Sequence, residues 1–263
     1  MKSFNLFNYP MLTIMKTTHQ MITRTQSFFI AALVAIVLLT TACNPFETVK
    51  GRGEVISENR SVGTFTSVEA SGDLEVYLSQ GAAQPVRVEG QDNILDVLET
   101  FVRNNELVIR YKTGVTVRRH EPVRIYIINP ELNAVKVTGS GEAIGQTNWS
   151  VNDFRASVSG SGKLEITLVD AEDISSEISG SGNMYLKGNS LTHETEVSGS
   201  GNVRAFDLIT KEAKARISGS GDCELTARDK LEARISGSGT IRYKGNPVID
   251  SRITGSGRVV NMN

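Results

Sequence analysis

The chain has 263 residues and a formal charge of -1, with 22% charged residues, enough for one large domain or two modest ones. That balance excludes the basic footprint of a nucleic-acid binder and leaves no acidic tail. Its 24 Gly against 6 Pro, with only 6% aromatic residues, point to many tight turns and exclude collagen and low-complexity disorder.

The N-terminus reads as a leader. Residues Phe28 to Leu39 form an apolar run too short to span a membrane and of the length of a signal-peptide core. Lys16 and Arg24 precede it, and the small residues Thr40, Thr41 and Ala42 lead into Cys43. The segment resembles a bacterial lipobox, with Thr40 where Leu is usual. The resemblance implies cleavage before Cys43, lipidation of its thiol and an outer-membrane location, on the periplasmic side or the cell surface. We therefore expect a signal peptide over 1–42 and a lipid-anchored tether over 43–50. Only Cys223 remains beside Cys43, so no disulfide scaffold is available.

Residues 51–132 are strand-like, with alternation in Leu74-Glu-Val-Tyr-Leu78, Leu107-Val-Ile-Arg-Tyr111 and Val123-Arg-Ile-Tyr-Ile-Ile128. Ala70-Ser-Gly-Asp-Leu-Glu-Val76 is a degenerate copy of the repeat that follows. Asn93 to Arg103 is the one modest helical candidate. We expect a β-rich module that leads into the repeats and caps them.

From residue 133 a repeat takes over. Gly-Ser-Gly begins at Gly139, Gly160, Gly180, Gly199, Gly219, Gly237 and Gly255, at intervals of 21, 20, 19, 20, 18 and 18 residues. Two residues before each triplet stand Val137, Val158, Ile178, Val197, Ile217, Ile235 and Ile253, all β-branched. Two residues after it stand Ala143, Leu164, Met184, Val203, Cys223, Ile241 and Val259, all apolar. The positions between are mostly polar, so strands with one buried face flank a glycine corner. Identical columns recurring at this period are satisfied when each coil stacks in register on the last, Val158 on Ile178 and Leu164 on Met184. The expected fold is all-β: a right-handed parallel β-helix of about seven coils over 133–263, with three faces per coil. Ile174, Leu191, Leu208, Leu231 and Val248 are the anchors expected on the third. Cys223 replaces Leu or Met in an inward column and reads as a buried small hydrophobe.

Gly51-Arg-Gly-Glu-Val-Ile-Ser-Glu-Asn-Arg60, then Phe65-Thr-Ser-Val-Glu-Ala-Ser-Gly-Asp-Leu-Glu-Val-Tyr-Leu-Ser-Gln-Gly81, is similar to the opening of the head GIN domain family of auto-transporter adhesins. Asn129-Pro-Glu-Leu132 running into Val137-Thr-Gly-Ser-Gly141 extends the likeness over nearly the whole mature chain. The resemblance implies a secreted or lipid-anchored envelope protein with β-helical repeats, and it carries no catalytic residues across.

Catalytic patterns are sparse. His120 and His193 have no Cys or His at ligand spacing, so no metal or other cofactor is expected. A Ser recurring in every coil is a turn residue, since a nucleophile occurs once beside a base. Gly160-Ser-Gly-Lys163 lacks the spacing of a phosphate loop. The residues after the triplet, Glu142, Lys163, Asn183, Asn202, Asp222, Thr240 and Arg258, hold too few acids for a calcium ladder, with Asp222 the one local candidate. Asp170, Glu172 and Asp173 read as a solvated loop. The exposed column Glu177, Glu196, Arg216, Arg234 and Arg252 stacks three Arg after a Glu196–Arg216 pair. It is either a solvated face or a cationic strip for an anionic glycan or lipid headgroup, and Arg216, Arg234 and Arg252 are the candidate ligand face. The sequence thus points to a non-catalytic, adhesin-like or scaffold envelope lipoprotein that binds glycan or protein partners. A glycan-active enzyme on the same scaffold is the alternative. The last rung ends without a polar cap, so we expect the N-terminal module, a partner or a second copy to cover it, the last making a homo-oligomer.

Overall fold

A computed structural model describes residues 47–263, which form one compact unit. The expected signal peptide and lipidation site, Cys43, lie outside the described residues. Strands β1 (Glu47–Lys50), β2 (Val55–Arg60), β3 (Ser67–Gly72), β4 (Glu75–Gln80) and β5 (Val86–Gln91) precede a single helical turn, α1 (Asp92–Leu95). Next come β6 (Leu98–Arg103), β7 (Glu106–Tyr111), β8 (Val115–Arg118), β9 (Arg124–Asn129), β10 (Ala134–Gly139), β11 (Glu142–Ser150) and β12 (Asp153–Gly160). The long strands β13 (Lys163–Gly180), β14 (Asn183–Gly199), β15 (Asn202–Gly219) and β16 (Asp222–Gly237) follow. The described residues close with β17 (Thr240–Lys244), β18 (Val248–Gly255) and β19 (Arg258–Asn261).

The repeat stacks in parallel register as its spacing predicts: Val158 lies beside Ile178, Leu164 beside Met184, and each corner glycine beside the next. The protein is a parallel β-helix of about six turns, not the seven expected, because seven corners enclose only six complete coils.

Each coil has two long flat faces joined by a short third stretch, an arc of varying length, on which Ala171, Ser190 and Leu208 point inward. In β13, burial alternates without a break from Lys163 to Leu168 and again from Asp173 to Ile178, and the register with β14 slips only between Leu168 and Ala171. The alternation breaks on both sides of this stretch, at Val169–Asp170 and Glu172–Asp173 around Ala171, and the chain turns again at the Gly-Ser-Gly corner. Arcs of unequal length shift the columns beyond them. Ile174 stacks on His193, then Ala213 and Leu231, whereas Leu191 and Val248, expected as inward anchors, are 44% and 76% exposed.

The two glycines of a corner are needed for different reasons. Gly219 has φ +127° and its missing Cβ would lie 2.3 Å from the Gly199 carbonyl oxygen. That carbonyl is close because it accepts the Ser220 N–H at 2.8 Å, one rung on. Gly221 points inward, where a Cβ would meet the Gly201 carbonyl oxygen at 2.4 Å and Val197 Cγ1 at 2.6 Å. Positive φ excludes a side chain at the first site, and close packing does so at the second.

Chain order and stacking order differ at the N-terminal end. β10 stacks on β3, setting Val137 beside Ala70 and Gly139 beside Gly72, so the degenerate copy is a true rung. Beneath it β3 and β4 rest on β7 and β9, which come later in the chain. Antiparallel strands finish this end: β6 pairs with β7, while β5 pairs with β9 and then with β2. The helix expected over Asn93–Arg103 is limited to α1. Thr100, Phe101 and Val102 pair as strand instead, which suits their β-branched and aromatic side chains.

The N-terminal strands close the end opposite the last rung. Among the described residues nothing covers the outer edge of β18, whose residues are all exposed. The expectation that the N-terminal module shields that rung is therefore corrected: β3 is held between β7 and β10, at the far end of the stack.

Candidate ligand-binding face

The candidate residues lie on the outer side of the second face, where parallel register brings one residue per rung into a straight column. Arg216, Arg234 and Arg252 are register partners, as the spacing implies, and Glu196 adjoins Arg216. Two residues earlier in each strand runs a second column, Glu194, Lys214, Glu232 and Asp250.

The two columns interlock. Arg216 contacts Glu194 at 2.5 Å and approaches Glu232 at 3.9 Å, while Arg234 contacts Asp250 at 2.6 Å and Glu232 at 3.6 Å. Lys214 adds a contact to Glu194 at 3.0 Å. Hydrogen bonds from Lys214 and then Arg216 hold the Glu194 carboxyl below the usual carboxylate range, against its partial burial. The Arg234 hydrogen bond does the same for Asp250. The expected Glu196–Arg216 pair is replaced by the diagonal Arg216–Glu194 contact, because a guanidinium on a long stem reaches across the face more easily than straight down it. The stacked arginines are thus part of a mixed lattice, with Arg252 the one without an ion-pair partner among the described residues. A shallow depression of about 280 Å³ opens along Glu196, Arg216, Arg234 and Arg252. Alternation marks this column as outward too, but not which of its members each arginine reaches.

The first face carries a different arrangement, which the sequence analysis missed. Tyr77 and Tyr126 are register partners and their rings stack at 5.2 Å, with Arg87 lying 3.8 Å over Tyr126. Their hydroxyls donate to Glu75 and Glu89. With its faces taken by Tyr77 and Arg87, the Tyr126 ring offers solvent its edge. Tyrosines at outward positions of two alternating segments were the available signal.

The remaining candidates are engaged elsewhere. Burial holds His193 neutral and depresses its pKa to about 4, and its Nε2 lies 2.9 Å from Ser176 Oγ inside the coil. His120 Nε2 meets Asp73 Oδ2 at 3.0 Å, pinning the segment before β9 to a corner. The Asp222 carboxylate accepts the Thr240 N–H at 3.1 Å and pairs with Arg242 at 3.2 Å. Cys223 is fully buried, as its column predicts, and burial pushes its thiol up to about 12, far from a reactive thiolate. Among the described residues no group of three His, Cys, Asp or Glu could hold a metal ion.

A family model described as "Putative auto-transporter adhesin, head GIN domain" matches residues 64–247. No curated protein matches. The fold is similar to that of a "putative adhesin" from Bacteroides fragilis, at TM-score 0.77 and 24% identity, covering 81% of this chain and 100% of the other. A "putative lipid binding protein" from Parabacteroides distasonis matches at TM-score 0.70 and 24% identity, covering 82% and 100%. A "putative adhesin" from Parabacteroides merdae matches at 0.68 and 19%, again covering 82% and 100%.

Proposed function

The chain belongs to the head GIN domain family of auto-transporter adhesins, and from that premise we propose that it is a lipid-anchored, non-catalytic, adhesin-like protein of the cell envelope. Its rigid coil stack presents the charged lattice of the second face to a glycan or protein partner. The carrying observation is the unbroken register of that face. Arg216, Arg234 and Arg252 run beside the column Glu194, Lys214, Glu232 and Asp250 at strand spacing. A flat array repeating every 4.7–4.9 Å or so fits an extended partner that makes many weak polar contacts. Such a surface lacks the enclosure that bond cleavage requires, which favours binding over the glycan-active alternative.

Anchoring rests on the leader and Cys43, and places the protein at the outer membrane, facing the periplasm or the surface. Metabolic labelling with a palmitate analogue should mark the wild type and not Cys43→Ser. An unlabelled wild type would remove the anchor from this reading. Ligand binding is tested on a glycan array with the soluble form from residue 44. Saturable binding that the Arg216→Ser, Arg234→Ser, Arg252→Ser variant loses supports the reading, and binding unaffected by that variant would exclude this face.

A further inference from the structure

We propose that the outer surface of the β1–β8 ribbon is a docking face for anionic phospholipid headgroups, which lays the capped end of the β-helix against the membrane. The proposal rests on the anchoring of Cys43 set out above and adds an orientation to it. β1 pairs in parallel with β8 from Glu47 beside Val115 to Lys50 beside Arg118, and the Glu47 N–H donates to the Gly114 carbonyl at 2.9 Å. Cys43 stands four residues before Glu47, so the chain between them reaches roughly 14 Å at most. A lipid on Cys43 therefore cannot hold this ribbon far from the bilayer.

The ribbon is suited to that position. Val49 and Val117 pack against the core, which turns Thr48, Lys50, Thr116 and Arg118 outward and puts Glu47 on the side of Val49. The outward side thus sets two cations next to each other with no acid between them, an arrangement that costs stability in a sheet. Arg52, Lys112 and Arg119 extend the charge in the adjoining chain and are exposed, with Glu54, Glu121 and the α1-turn acids Asp92 and Asp96 at its margins, Lys112 donating to the Asp96 carbonyl at 2.8 Å. None of Lys50, Arg52, Lys112, Arg118 and Arg119 has an ion-pair partner among the described residues. Elsewhere the same molecule interleaves its cations with carboxylates, as Arg216 and Arg234 show. An anionic surface would relieve the repulsion between Lys50 and Arg118. It would also attract each basic residue near it. The ribbon sits by the capped end: the Asn93 side chain in α1 donates to the Lys50 carbonyl at 2.8 Å and accepts the Arg52 N–H at 3.0 Å.

Residues 47–263 contain the whole buried core, so this piece can be tested without the lipid. It should cosediment with vesicles of mixed phosphatidylglycerol and phosphatidylcholine, and not with phosphatidylcholine alone, with binding falling as salt is raised. The Lys50→Ser, Arg118→Ser, Arg119→Ser variant should lose on the order of 100-fold in vesicle partitioning. Its melting should not fall, since the Lys50–Arg118 repulsion is relieved, and the Lys163→Ser, Lys187→Ser, Arg204→Ser variant, whose cations lie beside Glu165 and Glu224, should bind as the wild type does. Equal binding by the two triple variants, or none above the phosphatidylcholine control, would overturn the docking face. Failure of the anchor would appear separately, as loss of palmitate labelling at Cys43.

Discussion

The two ends of the β-helix solve the same problem differently. At the N-terminal end β6, β5 and β2 turn antiparallel and finish both sheets, and Arg60 fastens them by donating to the Leu98 and Leu95 carbonyls at 2.7 and 2.9 Å. At the other end, among the described residues, β18 presents an open strand with Val248, Ile249 and Ile253 exposed, and every rung below it copies the one before. Copying makes each coil stable only through its neighbours and demands glycine at each corner. Capping tolerates varied residues but relies on specific side-chain contacts.

The most severe test of that contrast is a methyl group at a stacked corner. Gly219→Ala should cost about 4 kcal/mol or more in denaturant unfolding, since it adds a clash with the Gly199 carbonyl to an unfavourable φ. Gly63→Ala at the capped end, where only Val102 Cβ comes within 4.0 Å of the added atom, should change stability by less than about 0.5 kcal/mol. Equal costs would refute the copying argument.

Acid should act next, through a histidine inside the stack. His193 has a folded pKa of about 4 against an ordinary value of 6.5, so the unfolded chain takes up the proton first. Its contribution is complete above pH 6.5, falls as the pH drops from there to 4, and is constant below, amounting to about 3 kcal/mol. His193→Leu should flatten that part of the stability profile, its register neighbours Ile174 and Ala213 being apolar. A profile unchanged by the substitution would place the acid sensitivity elsewhere.

At the cap, Arg60→Ala should cost about 2 kcal/mol by leaving the partly buried Leu98 and Leu95 carbonyls without their donor, read as a lower melting midpoint. The smallest stability effect is expected on the lattice. Arg234→Ser should shift unfolding by less than about 1 kcal/mol, because its partners are solvated. Val248→Lys should leave melting of the single chain unchanged, the side chain being 76% exposed. If the open edge pairs with a second copy, the same change should lower the sedimentation coefficient; a wild type that sediments as a monomer would remove that pairing.

Much of the stack was legible because its columns are local: position relative to the triplet told inward from outward from Val137 to Ile217. The same counting failed at Leu191 and Val248, since an arc that gains or loses a residue reverses the face beyond it. Likewise, the arginine column was visible, but its partners were not. Ion pairs form diagonally between rungs, and which carboxylate a guanidinium reaches depends on rotamers as well as register.

By itself, the sequence determined the parallel coil, its corners and the buried side of each repeat, because these follow from a short period repeated in register. Tertiary structure decided what is nonlocal. It placed β3 and β4 between β10 and the later strands β7 and β9, left the β18 edge open, and brought Lys50 beside Arg118 across 68 residues of chain. Such pairings are chosen by the energy of closing the whole sheet, which no single segment encodes.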